Sequence, residues 1–127
     1  MKLAQRLALA TFALTVVLVG IGAYVRASGS GLGCPDWPTC HGGVVPPGTR
    51  HSLIEFSHRF FGSVVGLLVI ATAVMAWRHY RHASVPVWAA TSAVPRVGSR
   101  VLLGAGTVCQ SPPPAMVVTH PVPAAPR

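Results

Sequence analysis

At 127 residues the chain has room for one small domain, and it is 51% hydrophobic and only 9% charged, far below the charge of a soluble domain, about a quarter of its residues. Ten Lys and Arg stand against only Asp36 and Glu55, a net charge of +8. The basic residues sit singly at the borders of apolar runs, with no basic helix face and no RNA-binding signature, which excludes nucleic acid as the partner and reads as anchoring beside a lipid bilayer.

The first element is the run Leu7 to Val25, "LALATFALTVVLVGIGAYV", which carries no charge. It approaches the length of about 20 residues that a helix needs to cross a bilayer. Lys2 and Arg6 before it also suit a signal peptide, but the run exceeds the usual apolar core of about 7 to 15 residues. A retained helix is the preferred reading.

The connection that follows, "GSGLGCPDWPTCHG", concentrates unusual chemistry. Pro35 and Pro38 fix the backbone between Cys34 and Cys40 and favour a compact turn. Such a turn can bring the sulfurs to bonding distance. A disulfide would place the loop in an oxidising compartment, with the N-terminus cytoplasmic. Free thiols and a metal site built from Cys34, Cys40, His41 and His51 stand as alternatives, although the five-residue gap exceeds the usual spacing of zinc cysteines. Cys109 is left over and reads as a buried apolar side chain.

"IEFSHRF" leads into the second apolar run, and it carries Glu55 and His58 three residues apart. On a helix these share a face, and ionisable groups at the mouth of a membrane helix are functional candidates. Neutral His58 can ligate haem iron, and protonated it can bond a carboxylate. Glu55 can orient it, move protons or stabilise positive charge. The plainer reading makes Glu55 a partner of the helix dipole and His58 and Arg59 interfacial anchors.

The second run, Phe60 to Trp77, is uncharged and ends on the aromatics Trp77 and Tyr80 beside Arg78 and Arg81, the pattern of a membrane interface. Gly62, Ser63 and Gly66 permit close helix approach. After Arg81 the character changes. Pro95, Arg96 and Arg100 interrupt a third helix, and Pro112 to Pro114 stop any helix that reaches them. Residues 82–127 therefore read as a degenerate third helix and a Pro-rich, non-native tail, with His120 a lone histidine on composition.

Together "GAYVRASGSGLGCPDWPTCHGGVVPP" and "IEFSHRFFGSVVGLLVI" resemble the haem A synthase family, membrane enzymes of cytochrome oxidase assembly. The likeness covers roughly residues 5–80, with a weaker echo in "VLLGAGTV" and "PPAMVVTH". It implies oxidation of the C8 methyl of haem O to the formyl of haem A, within two similar four-helix bundles that each carry a pair of histidines. By match, Cys34 and Cys40 are the loop's cysteine pair, Glu55 the essential carboxylate beside the substrate, and His58 an iron ligand of the N-terminal bundle. His120 is its partner on the weaker match. The family's haem b would belong to its other bundle.

The expected architecture is all-α, an incomplete transmembrane bundle of two clear helices and a distorted third. Residues 1–81 form the hairpin, with an external cysteine loop over 26–53. The expected protein is an integral protein of a bacterial cell membrane, a truncated or frameshifted part of a haem A synthase-like oxidoreductase. Its expected partners are the bilayer, haem, and a separate C-terminal half or a second copy. The alternatives are a non-catalytic haem-binding or oxidase-assembly module and an inactive fragment.

Overall fold

The computed structural model describes residues 3–109. It contains α1 (Leu3–Ala27), α2 (Arg50–Tyr80) and α3 (Ser84–Cys109) in chain order. The all-α expectation holds, and α2 packs against both α1 and α3. Both α1 and α2 are long and apolar enough to cross a membrane, while α3 is not among such helices. Their large side chains point outward: Phe12 is 68% exposed and Leu67 is 70% exposed. Apolar surface on this scale is not tolerated in water and is the ordinary state of a helix in lipid.

Each helix extends beyond its uncharged run. The first starts earlier, at Leu3. Its exit is a closed motif in which Ser30 N–H donates to the Val25 carbonyl (3.0 Å) and Gly29 N–H to that of Arg26 (3.2 Å). Gly29 stands at φ +67, the left-handed position that glycine occupies at helix C-termini. The second starts ten residues before Phe60, at Arg50. Thr49 caps it by accepting the Ser52 N–H (3.4 Å), and the same hydroxyl donates to Ser52 Oγ (2.8 Å). The polar segment "RHSLIEFSHR" is thus helical from its cap onward.

The sequence expectation for α3 needs correction. The helix runs unbroken with Pro95 inside it. Proline removes one N–H from the ladder and crowds the carbonyl four residues back, yet one missing bond does not unravel the turns on either side. Arg96 and Arg100 are exposed, so neither charge has to be buried for the helix to continue. Pro86 lies in the first turn, where backbone N–H groups have no helical acceptor in any case. Cys109 also departs from expectation. It is free and exposed at the end of α3 rather than buried.

Between α1 and α2 two contacts involve small or hydroxyl residues. Thr11 Oγ1 lies 2.9 Å from Thr72 Oγ1 and also donates back to the Leu7 carbonyl at 2.8 Å. Towards the loop end, Gly22 of α1 meets His58 of α2, where a Cβ would come 3.0 Å from the imidazole Cε1.

Candidate functional site

The connection from α1 to α2 folds back onto the first turns of α2. The fold begins with Gly33, whose missing side chain lets the backbone lie against the start of the helix. A Cβ there would stand 2.4 Å from the His51 carbonyl oxygen. The Gly33 carbonyl accepts from Ser52 Oγ (2.7 Å) and from His41 Nε2 (3.2 Å). Ser30 is fully buried and bonds Ser28 Oγ (2.8 Å) and His51 Nδ1 (2.9 Å). His51 is thereby committed to bracing the loop.

Cys34 and Cys40 lie with their sulfurs 2.01 Å apart and their Cα atoms 4.7 Å apart, and both residues are buried. The Trp37–Pro38 bond within the ring is cis. Sulfurs bonded to each other are not thiolate ligands, and among the described residues no group of three or more His, Cys, Asp or Glu could hold a metal ion. The four-residue metal alternative fails on both counts.

Asp36 closes the turn from inside the ring. Its carboxylate accepts from the Thr39 hydroxyl, from the Gly42 N–H (2.8 Å) and from the His41 N–H (2.5 Å). These donors, Thr39 first and Gly42 next, draw its pKa down from 3.8 to about 2, so the turn keeps its anion throughout the physiological range. His41 and Gly42 both take positive φ, and Cys40 and Gly43 exchange backbone bonds of 2.9 and 3.2 Å. That is the pattern of a two-residue primed turn.

Glu55 and Arg59 join this loop to the helix. Glu55 is buried, at 4% exposure. Its Oε2 accepts the Cys34 N–H (2.8 Å) and its Oε1 pairs with Arg59 Nη2 (2.5 Å). Arg59 in turn donates to the carbonyls of Asp36 (2.6 Å), Thr39 (2.8 Å) and Cys34 (3.0 Å). Sequence reading singled out Glu55 and His58 but treated Arg59 as an anchor. Glu55 and Arg59 are four apart with the acid first, the favourable order for a helical ion pair, and that spacing was the available signal.

His58 is turned towards Gly22 of α1, with its Nδ1 shielded from solvent. Gly22 lets the ring lie directly against the backbone of α1, since a Cβ there would stand 3.0 Å from Cε1, 3.6 Å from Nδ1 and 3.7 Å from Nε2. Haem iron asks for one or two imidazole ligands and no chelating cluster, and a single imidazole such as His58 is of that chemistry. His120, the expected second ligand, lies outside the described residues. His79 and His82 stand at the opposite end of α2 and belong to no site with His58.

Residues 5–53 match the family model described as cytochrome oxidase assembly protein. Among curated relatives, a protein named heme A synthase from Bacillus licheniformis is 40% identical over 99 residues, which is 77% of this chain and 32% of the relative. One of the same name from Bacillus pumilus is 47% identical over 81 residues, 61% of this chain and 26% of the relative. Another, from Shouchella clausii, is 43% identical over 98 residues, 75% of this chain and 33% of the relative. The chain thus spans about a third of the length of the curated relatives it matches. These bacterial relatives and the two apolar helices mark an integral membrane protein. With the loop and the start of α2 lying at the end of the matched stretch, the N-terminal part of this chain resembles the cytochrome oxidase assembly proteins and the bacterial proteins named heme A synthase.

Proposed function

We propose that this chain forms the substrate-side half-bundle of a membrane oxidoreductase that converts haem O to haem A. The observation that carries the reading is the buried Glu55, held by Arg59 and the Cys34 N–H, three residues before an imidazole that faces a glycine across the helix pair. Three residues of helix rise about 4.5 Å, so an acid and a metal-ligating base stand about one turn apart along α2.

Haem O is the substrate in this reading, and His58 and His120 would hold its iron. Its C8 methyl loses two hydrogens and gains one oxygen, a four-electron oxidation whose oxidant, dioxygen or another acceptor with water as oxygen source, lies outside this chain. Glu55 accepts a proton released during the oxidation, or stabilises positive charge at the reacting carbon. Arg59 and the Cys34 N–H hold the carboxylate in place and limit its rotation. The remaining helices come from further chain, from a separate C-terminal half, or from a second copy. The N-terminus is cytoplasmic and the cysteine loop external, where an oxidised bridge persists.

Membranes that contain the chain, supplied with haem, should show a low-spin haem spectrum that weakens in His58→Ala. Identical spectra from the two would discard His58 as a ligand. Haem binding in a preparation that never yields haem A would favour a non-catalytic haem-binding or assembly module.

A separate prediction concerns the loop. Cys34 and Cys40 should resist a thiol-alkylating reagent until a reductant is added, whereas the exposed Cys109 should label at once. Immediate labelling of all three would show the loop cysteines to be free thiols.

A further inference from the structure

The proposed reaction makes no direct use of Arg59, yet its guanidinium makes four of the hydrogen bonds at the site. Three go to backbone carbonyls, those of Cys34, Asp36 and Thr39. All three carbonyls belong to the segment that the Cys34–Cys40 bridge closes into a ring. The fourth bond goes to Glu55 Oε1. A guanidinium is a planar fork with five donors, so it can gather several acceptors only when they already converge. These acceptors are spread over six residues of chain, and the closed ring together with the Asp36 turn brings them to one point. Arg59 is largely buried, with 13% of its side chain exposed, so water does not readily replace carbonyls that move away.

We propose that Arg59 is a positioning residue that transmits the closed or open state of the Cys34–Cys40 ring to the Glu55 carboxylate. The inference deepens the reading of Glu55 as the reacting acid and rests on it. Opening is a two-electron reduction: the S–S bond takes two electrons and two protons from a thiol or phosphine reductant and becomes two thiols. No other covalent bond changes. Release of the ring restores conformational freedom to the segment, the three carbonyls diverge, and the fork that aimed Glu55 loses its grip. A second route exists, because the Cys34 N–H also bonds Glu55 Oε2 directly. It engages one residue of the ring, whereas Arg59 engages three.

Glu55 is the sole glutamate of the chain, so glutamate carrying 13C at the side-chain carboxyl places a carboxylate label on this residue alone. The isotope-edited carboxylate stretching band is read on the purified full chain reconstituted in lipid vesicles, before and after tris(2-carboxyethyl)phosphine, with no haem added. In the wild type the band should shift on reduction. In Arg59→Ala it should lie away from the oxidised wild-type position from the outset and stay there on reduction. Arg59→Lys keeps the ion pair but cannot span three carbonyls, so its band should start near the wild-type position and move less. Equal shifts in wild type and Arg59→Ala would overturn the proposal in favour of the direct Cys34 contact. A wild-type band that ignores reduction would overturn it outright. Should Arg59→Ala fail to insert, the lysine variant decides, and a full wild-type shift in it counts against the proposal. Because the readout needs neither haem nor turnover, it can fail while the haem A reading stands, and the reverse.

Discussion

Replacing Glu55 with alanine is expected to loosen the loop and abolish haem A formation together, and replacement with glutamine is expected to separate the two. Alanine leaves the Arg59 guanidinium without its counter-ion and the Cys34 N–H without its acceptor. Both side chains of the pair are largely buried, at 6% and 13% exposure, and removing one partner of a buried pair costs about 3–5 kcal/mol. That is a large share of the roughly 5–15 kcal/mol that holds a domain folded. Glutamine keeps one oxygen to accept the Cys34 N–H but turns an amide NH2, a donor, towards Arg59, which retains its three carbonyl acceptors. Limited proteolysis of the loop should therefore speed up most in Glu55→Ala and distinctly less in Glu55→Gln, which keeps the acceptor for the Cys34 N–H. Haem A, measured by chromatography of extracted haems, should disappear in both. Wild-type amounts of haem A from the glutamine variant would remove Glu55 from the chemistry.

The second large effect is expected at Gly33. An alanine methyl there would stand 2.4 Å from the His51 carbonyl oxygen, 2.5 Å from its carbon and 2.9 Å from Ser52 N. All three are backbone atoms in the first turn of α2, so no rotamer relieves the contact. Either the loop or the helix start must move, and the Ser52 bond to the Gly33 carbonyl goes with it. Overpacking of this kind costs about 1–3 kcal/mol, and the rigid backbone puts this case at the upper end. Gly62→Ala is the control, because nothing lies within 4 Å of its Cβ and alanine is the better helix former by up to about 1 kcal/mol. Thermal unfolding in a mild detergent should show a clear fall for the first and no loss for the second. Equal midpoints would mean that the loop does not press on the helix.

Much of this was legible because it rests on periodicity and length. Two uncharged runs of membrane-spanning size announce α1 and α2, and a Cys-x5-Cys ring with two prolines announces a compact turn. The boundaries were not legible by the same rule. A criterion of uncharged residues stops at Phe60, whereas the cap at Thr49 and the loop packed over Ser52 and Glu55 carry α2 ten residues further back. Pro95 misled in the other direction, since proline's propensity against helix is local and the turns around it are continuous. The pairing of Glu55 with Arg59 was legible from spacing alone. The three carbonyls that complete the arginine's shell were not, because backbone acceptors carry no residue identity.

One feature of the helix pair reaches the site from a distance. The Thr11–Thr72 contact lies eleven residues from Gly22, roughly 16 Å along α1 at 1.5 Å per residue. Away from the bonded loop, two apolar helices in lipid oppose axial sliding only weakly, since one greasy neighbour is nearly as good as the next. A hydroxyl pair is different: it is satisfied at one setting and broken a fraction of a turn away. In membrane helices such a bond contributes only about 0.6 kcal/mol on average, so its weight in stability is small. Its weight in alignment is larger. It works as a dowel between two smooth rods, and the height at which His58 comes to rest beside Gly22 is fixed partly from the far end of the molecule.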